Sequence, residues 1–134
     1  MSLLMNLTAT YCAKFKNSSA DLLPAHQRYI SKRISLAHDS ALGSSEKFAI
    51  LSGLFGLIDG DHRIPHYDHL LQEGEIPSMV ARVAKTLEDW GVSELTWYSL
   101  PDKLDPYVWR YRAVITHAAD IAECRLKVVE VLEE

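Results

Sequence analysis

The residue types most able to do chemistry follow two short apolar runs. The segment 12–16, CAKFK, comes directly after the first run. A thiol beside two ammonium groups is a candidate nucleophile, and Lys14 and Lys16 are candidate ligands of a phosphate or carboxylate. The alternative is a small buried cysteine followed by solvated lysines. Anion binding is the better supported function, because the sequence assigns no partner histidine to Cys12.

The second candidate segment is 52–59, SGLFGLID. It has no lysine where a Walker loop needs one, it lacks the GxGxxG pattern, and Ile50 stands where a nucleophile elbow needs glycine. The two glycines, Gly53 and Gly56, would let backbone amides or the Ser52 hydroxyl approach a ligand closely. The alternative is a structural turn whose leucines pack inward.

A cluster of possible metal ligands lies between residues 59 and 69. Its members are Asp59, Asp61, His62, His66, Asp68 and His69. The cluster fails the EF-hand template, because Ile64 and Leu70 replace the required glycine and glutamate, and it lacks HExxH. His66 and His69 could share a helix face and bind zinc or iron with one carboxylate. Solvated loop histidines are the favoured interpretation, so the sequence predicts neither a metal nor a cofactor.

Tyr67 and Asp68 form a more specific pair. Tyr67 could stack on a ring, while Asp68 could cap the segment 67–72 or accept a hydrogen bond from a sugar hydroxyl. Further aromatic residues follow at Trp97, Tyr98, Tyr107, Trp109 and Tyr111. We interpret most of them as core; a stacking platform for a base is the alternative.

The first half of the chain contains two predicted strands. The run from Leu4 to Cys12 predicts a buried strand, and 47–52, KFAILS, predicts a central parallel strand. Between them, cap-type residues and a proline predict a helix that begins near residue 20 or 24 and ends within 40–45. An irregular loop follows, rich in glycine.

The second half predicts a helix over 77–90, a strand over 94–100, and one or two helices over 106–133. No two strands are close enough in sequence for a tight hairpin, so the long crossovers favour parallel pairing. The sequence therefore predicts a small three-layer α/β domain, with a mostly parallel sheet of three or four strands flanked by helices. Ligands of such sheets bind beyond the carboxyl ends of the strands, here 12–19, 52–68 and 99–105.

Composition excludes several classes of protein. The chain has 134 residues, 48% of them hydrophobic and 24% charged, which is typical of one globular domain. Its net charge of -4 gives no general support for binding to nucleic acid or anionic lipid. Two distant cysteines fit a reducing compartment, and no apolar run reaches the ~18 residues of a membrane span. We predict a cytoplasmic protein with a cloning scar over 1–4 and a single domain over 5–134.

Two stretches of the chain resemble a family of small bacterial and phage α/β domains of unknown function. The segment 12–22 is similar to its CxxxK...PAxDLY pattern, and 48–70 is similar to FILSxxxGLL...IxPYDxxL. The chain departs from the family at Leu54-Phe55, where Lys-His or Lys-Tyr is commoner, and at Leu23-Pro24, which replaces a tyrosine. The strand-end Ser-Gly turn and the later Tyr-Asp are also similar to nucleotide-related glycosyl-bond proteins. The resemblance to the small α/β family implies that seven residues share one pocket: Cys12, Lys16, Ser52, Gly53, Gly56, Tyr67 and Asp68.

The sequence thus predicts a pocket for a nucleotide- or nucleoside-like ligand, with glycosyl-bond transfer or hydrolysis as the candidate reaction. Asp68 and Ser52 are the candidate catalytic residues. The predicted ligand-binding residues are Cys12, Lys14, Lys16, Gly53, Gly56 and Tyr67. The alternative is a non-catalytic domain that binds another protein or a second copy of itself through its last helix. That alternative requires an exposed apolar stripe formed by Tyr107, Trp109, Val114, Ile121, Val128 and Val131.

Overall fold

The computed structural model describes residues 5–134, and the predicted cloning scar over 1–4 lies outside the described residues. The described part forms a five-stranded sheet, a two-stranded ribbon and four α-helices. In chain order the elements are β1 (Met5–Tyr11), β2 (Leu23–Pro24), α1 (Ala25–Arg28), α2 (Lys32–Gly43), β3 (Lys47–Ser52), β4 (Gly56–Asp59), β5 (Arg63–Ile64), α3 (Ile76–Trp90), β6 (Val92–Ser99), α4 (Val108–Ile121) and β7 (Arg125–Glu130).

The main sheet has the order β4-β3-β1-β6-β7. Strands β3, β1, β6 and β7 are parallel, and β4 is an antiparallel edge strand beside β3. The ribbon joins β2 to β5. The predicted α/β class and the mostly parallel sheet are confirmed, and one further strand extends the sheet beyond the predicted three or four.

Two hydrophobic clusters cover the two faces of the sheet. Leu7 and Ala9 of β1 pack with apolar residues of α3 and α4, whereas Ile50 of β3 packs with residues of α2. Successive side chains of a strand point to opposite faces, so a strand buried on both faces reads as a continuous apolar run. This is why KFAILS was recognisable as a central strand, and the helices on both faces make the domain three-layered.

The prediction that no two strands form a tight hairpin is wrong. Strands β3 and β4 pair antiparallel across residues 53–55, with Ser52 opposite Gly56. Gly56 has a φ of 79°, a left-handed conformation that glycine adopts without strain, and it starts the return strand. The loop predicted after residue 52 therefore contains β4 and β5, because glycines of a hairpin look like loop glycines in the sequence.

The helix predicted over 106–133 is also wrong in its second half. Helix α4 ends at Ile121, Glu123 takes a left-handed φ of 57°, and β7 begins at Arg125. Six residues of β7 pair with β6, so sheet pairing overrides the helix propensity of this segment.

The helical region between the first two predicted strands is divided. Helix α1 has four residues, the chain becomes extended at Tyr29, and α2 begins after Ser31. The Ser31 hydroxyl accepts a hydrogen bond from the Ile34 amide, which caps α2. None of the described helices combines the length and the apolar character needed to traverse a bilayer.

Candidate functional site

The carboxyl ends of β1 and β3 lie side by side. Thr10 is opposite Ile50 in the parallel pairing, and the Cys12 amide donates to the Leu51 carbonyl at 2.9 Å. The segments that follow these strands therefore begin at one edge of the sheet, as the strand directions predicted.

A chain of hydrogen bonds starts at the turn after β3. The Ser52 Oγ accepts from the amides of Leu54 at 3.1 Å and Phe55 at 3.0 Å, and lies 2.8 Å from the Tyr67 hydroxyl. Both acceptor positions of the serine are used by amides, so its proton is directed to Tyr67. The Tyr67 hydroxyl is in turn hydrogen-bonded to that of Tyr29. Three buried hydroxyl groups thus form one network.

The Cys12 thiol lies beside this network. It lies close enough to the phenols of Tyr67 and Tyr111 to influence their pKa values. Burial raises the pKa of both phenols, and the neighbouring Cys12 raises the pKa of each further. The pKa of Tyr29 is raised by the same two causes in the same order. All three phenols therefore keep their protons at neutral pH beside the half-buried Cys12.

Gly53 packs against the segment after Tyr67. A Cβ on Gly53 would lie 2.8 Å from the Leu71 amide nitrogen and 3.0 Å from the Tyr111 hydroxyl. Because the Leu71 amide donates to that hydroxyl at 3.1 Å, Gly53 lies against an existing hydrogen bond. Because Gly53 has no side chain, β3 can pack closely against the 67–71 segment and α4.

The next glycine lies under an arginine. A Cβ on Gly56 would be 3.0 Å from the Nε of Arg82. The Arg82 guanidinium donates to the carbonyls of Leu54 at 3.1 Å and Phe55 at 2.9 Å, so it fixes the turn between β3 and β4 from outside.

The two predicted anion-binding lysines differ in position. The Lys16 Nζ lies 5.0 Å from the centroid of the Tyr67 ring and 5.9 Å from that of Tyr29, within cation–π range. Lys14 is exposed, and its Nζ lies 5.9 Å from the centroid of the Phe15 ring. Lys16 is therefore joined to the tyrosine network, whereas Lys14 lies on the outer surface of the same loop.

Asp68 and His66 are exposed beside the buried Tyr67. The Nε2 of His69 lies 2.9 Å from a carboxylate oxygen of Glu75. The backbone amide of Gln72 and the His69 ring both lower the pKa of that carboxyl group. Within residues 5–134, no three histidine, cysteine, aspartate or glutamate side chains form a group that could hold a metal ion.

The sequence interpretation missed three residues of this edge. Tyr29 and Tyr111 complete the network, and the fully buried Arg33 lies at the end of β1. The signal for Arg33 was present, because it recurs at helical spacing with the apolar Ile30 and Ala37 in the helix predicted between the first two strands. A charged residue on such a stripe must be paired inside the fold. The tyrosines gave no such signal, because core tyrosines have the same pattern.

Two cavities lie away from this edge. One of about 430 Å³ is lined by the end of α4 and the start of β7, including Asp120, Ile121 and Cys124. Another of about 150 Å³ lies near His38 and Asp59. The larger cavity is at the amino end of the parallel strands, and the Cys124 thiol there donates to a backbone carbonyl. We favour the carboxyl ends of β1 and β3, named the Cys12 edge, as the functional site, because the polar side chains there converge in one buried network.

Comparison of the chain with family models, with curated proteins and with solved structures finds no match. The resemblance of residues 12–22 and 48–70 to a family of small α/β domains therefore stays a prediction.

Proposed function

We propose that the chain binds a small nucleotide- or nucleoside-like molecule at the carboxyl edge of β1 and β3. The observation that supports this most is the buried network of the Ser52, Tyr67 and Tyr29 hydroxyls at the end of β3, where the Cys12 amide also bonds to the Leu51 carbonyl. Ligands of doubly wound sheets bind at this kind of edge, where a few polar groups meet among apolar walls.

Each group has a proposed part in binding. Lys16, and Lys14 on the same loop, attract the anionic part of the ligand. The Ser52 and Tyr67 hydroxyls set the shape and polarity of the inner wall, since they already satisfy one another. The exposed carboxylate of Asp68 accepts hydrogen bonds from the hydroxyls of a sugar.

If the bound molecule reacts, Asp68 is the better candidate for the chemical step. Its carboxylate reaches solvent, so it can act as general base or stabilise positive charge at a glycosidic carbon. The Ser52 hydroxyl already directs its proton to Tyr67, so Ser52 serves mainly to position that ring. Transfer or hydrolysis of a glycosyl bond is the reaction that this arrangement suits.

The alternative, self-association through the last helix, has less support. Val114 is buried and Val131 is partly buried, whereas Val128 is exposed on the edge strand β7. On α4, Tyr107 and Trp109 at the start and Ile121 at the end are exposed. At 1.5 Å per residue these two exposed groups lie roughly 20 Å apart along the helix. A continuous apolar stripe is therefore not formed by the described residues of α4, and light scattering after size exclusion would detect a dimer if one forms.

The proposed function is tested by titrating the protein with the common ribonucleosides and their 5′-monophosphates and measuring heats of binding. Saturable binding to the parent protein, weakened by Asp68→Asn, supports the proposal. The control is Asp120→Asn, which changes an exposed carboxylate beside the larger cavity. Binding that Asp120→Asn weakens and Asp68→Asn does not would refute the proposed position. We also propose membership of the small α/β family that residues 12–22 and 48–70 resemble.

A further inference from the structure

Arg33 places a buried positive charge at the end of β1. Its side chain is completely buried, and its guanidinium carbon lies 3.7 Å from the centroid of the Tyr11 ring. The Nη1 donates to Thr10 Oγ1 at 2.5 Å and to the Tyr11 carbonyl at 2.7 Å, while Nη2 donates to the Cys12 carbonyl at 3.2 Å. These bonds fix the guanidinium in one orientation beside the Cys12 segment.

The remaining edge of the guanidinium binds a carboxylate. The Nε of Arg33 lies 3.0 Å from one oxygen of Glu134, and Nη2 lies 2.9 Å from the other. Two parallel N–H groups that face two oxygens are the geometry with which arginine recognises carboxylates and phosphates. Glu134 thus occupies a site of the shape that an anionic ligand group would need.

Glu134 belongs to the segment 131–134, which lacks regular secondary structure. The Val131 amide donates to the Ser99 carbonyl at 2.8 Å, and the Lys32 amide donates to the Glu134 carbonyl at 2.5 Å. The further pair between Lys32 and Glu133 is largely exposed, so it stabilises the attachment little. Val131 is also partly buried against the core, whereas residues 132–134 are exposed, so the end of this segment is held less firmly than the strand and helix that hold Arg33.

The two partners of the ion pair are therefore unequal. The Arg33 side chain is 0% exposed, whereas that of Glu134 is 36% exposed. If the segment 131–134 moved away, Arg33 would keep its bonds to Thr10, Tyr11 and Cys12 and would present its Nε edge to solvent. An unpaired buried charge destabilises the folded protein, so the guanidinium attracts another anion to the same position.

We propose that Arg33 forms an anion subsite for the phosphate or carboxylate group of a small ligand, and that Glu134 occupies this subsite until the ligand displaces it. The bond from Arg33 to the Cys12 carbonyl places the subsite at the carboxyl end of β1, where the predicted ligand-binding segment 12–16 begins. The identity of the rest of the ligand rests on the proposed function above, while the subsite can be tested without it.

The test replaces the internal carboxylate by a free anion. Thermal unfolding is measured for the parent protein, Glu134→Ala and Glu133→Ala, in sodium phosphate and in sodium chloride of equal ionic strength. In chloride, Glu134→Ala has a lower Tm than the parent, because Arg33 loses its counter-charge. Phosphate raises the Tm of Glu134→Ala by about 5 °C more than that of Glu133→Ala. Comparing the Tm shifts of these two variants removes the general stabilising effect of phosphate. In the parent protein, where Glu134 occupies the subsite, phosphate raises the Tm by the same amount as in Glu133→Ala.

A parallel series in sodium acetate identifies the class of anion. Rescue by phosphate alone, by acetate alone or by both supports the subsite and names the group that it accepts. Equal shifts of Glu134→Ala and Glu133→Ala in both anions overturn the proposal.

A second variant covers the case in which Glu134→Ala does not fold in chloride. Glu134→Gln keeps the length of the side chain and one oxygen while removing the charge. Folding of either variant in phosphate or acetate but not in chloride supports the subsite when the same change of salt raises the Tm of Glu133→Ala by less than about 3 °C. A rise of Glu133→Ala beyond that value, or failure of both variants to fold in any of the three salts, overturns it. A nucleotide panel that shows no binding would refute the proposed function and leave the phosphate result for Glu134→Ala unchanged.

Discussion

The hydroxyl of Tyr67 lies 2.8 Å from the Oγ of Ser52, fifteen positions earlier in the chain. This bond joins the end of a central parallel strand to the segment 67–71, which has no helix or strand of its own. The segment is also held by the close approach of Gly53 to Leu71 and Tyr111. A stretch without regular structure is thereby fixed over the carboxyl edge of the sheet, beside Cys12.

Tyr67→Phe tests the hydroxyl network. The substitution keeps the ring but removes the partner of the Tyr29 hydroxyl and of the Ser52 O–H, while the Ser52 oxygen still accepts from two amides, so we expect a loss of about 1–2 kcal/mol in the free energy of unfolding. Urea denaturation measures the change. The control, Tyr107→Phe, removes a hydroxyl from an exposed ring and should change the free energy by less than about 0.5 kcal/mol. Equal effects of the two substitutions would show that the network contributes nothing.

Gly53→Ala tests the close contact behind the site. The new methyl group would be 2.8 Å from the Leu71 amide nitrogen, so the 67–71 segment must move and the bond from Leu71 to Tyr111 is weakened. We expect a destabilisation of about 2 kcal/mol or more, measured by urea denaturation. Gly43→Ala is the matched control, since nothing lies within 4 Å of its added Cβ and alanine suits a helix better. A neutral Gly53→Ala would contradict the packing described.

We expect the stability of the fold to depend on the protonation of His26. Burial lowers the pKa of its ring from the usual 6.5, and the stacked His38 lowers it further, while Asp61 opposes both. The unfolded chain therefore binds a proton more readily than the folded one, and stability falls as the pH drops below about 6.5.

His26→Gln should accordingly reduce the loss of stability between about pH 7.5 and pH 5. Urea denaturation at several pH values measures this loss, and His62→Gln, which changes an exposed histidine, is the control. A variant that lost as much stability as the parent protein over this range would show that His26 does not cause the dependence.

Asp68→Asn tests the candidate catalytic residue. Because Asp68 is exposed, we expect the Tm of the variant to stay within about 2 °C of the parent value. Binding of a nucleoside or nucleotide should weaken roughly tenfold, since a hydrogen bond to a charged acceptor contributes about 1.5 kcal/mol or more. Isothermal titration calorimetry gives the dissociation constants. Unchanged affinity would remove Asp68 from the site.

The spacing of apolar residues along the chain was sufficient to predict a sheet with helices on both faces. The continuous apolar run 47–52 and the stripe of α3 are dictated by burial, which sequence patterns record directly. The hairpin at Gly56 and the strand β7 were missed because their cause is pairing with a distant strand. Glycine in a hairpin resembles glycine in a loop, and the residues of β7 also suit a helix.

The site was predictable to the extent that it follows strand direction. Cys12 and Ser52 come from the ends of neighbouring parallel strands, so their proximity follows from topology. Tyr29 and Tyr111 belong to helical regions on opposite faces of the sheet. Their positions near Ser52 and Cys12 depend on how those regions pack, which the sequence pattern does not show. The partner of Arg33, 101 positions away in sequence, was likewise beyond any local pattern.

The most direct measurement is a ¹H–¹⁵N correlation spectrum of the full chain during titration with the nucleoside and nucleotide panel. We expect saturable shifts of the amides of residues 12–16, 53–55 and 67–71, which border the Cys12 edge. Shifts confined to residues 116–126 around the larger cavity, or no shifts with about 1 mM of any compound, would contradict a nucleotide-like ligand at this edge of the sheet.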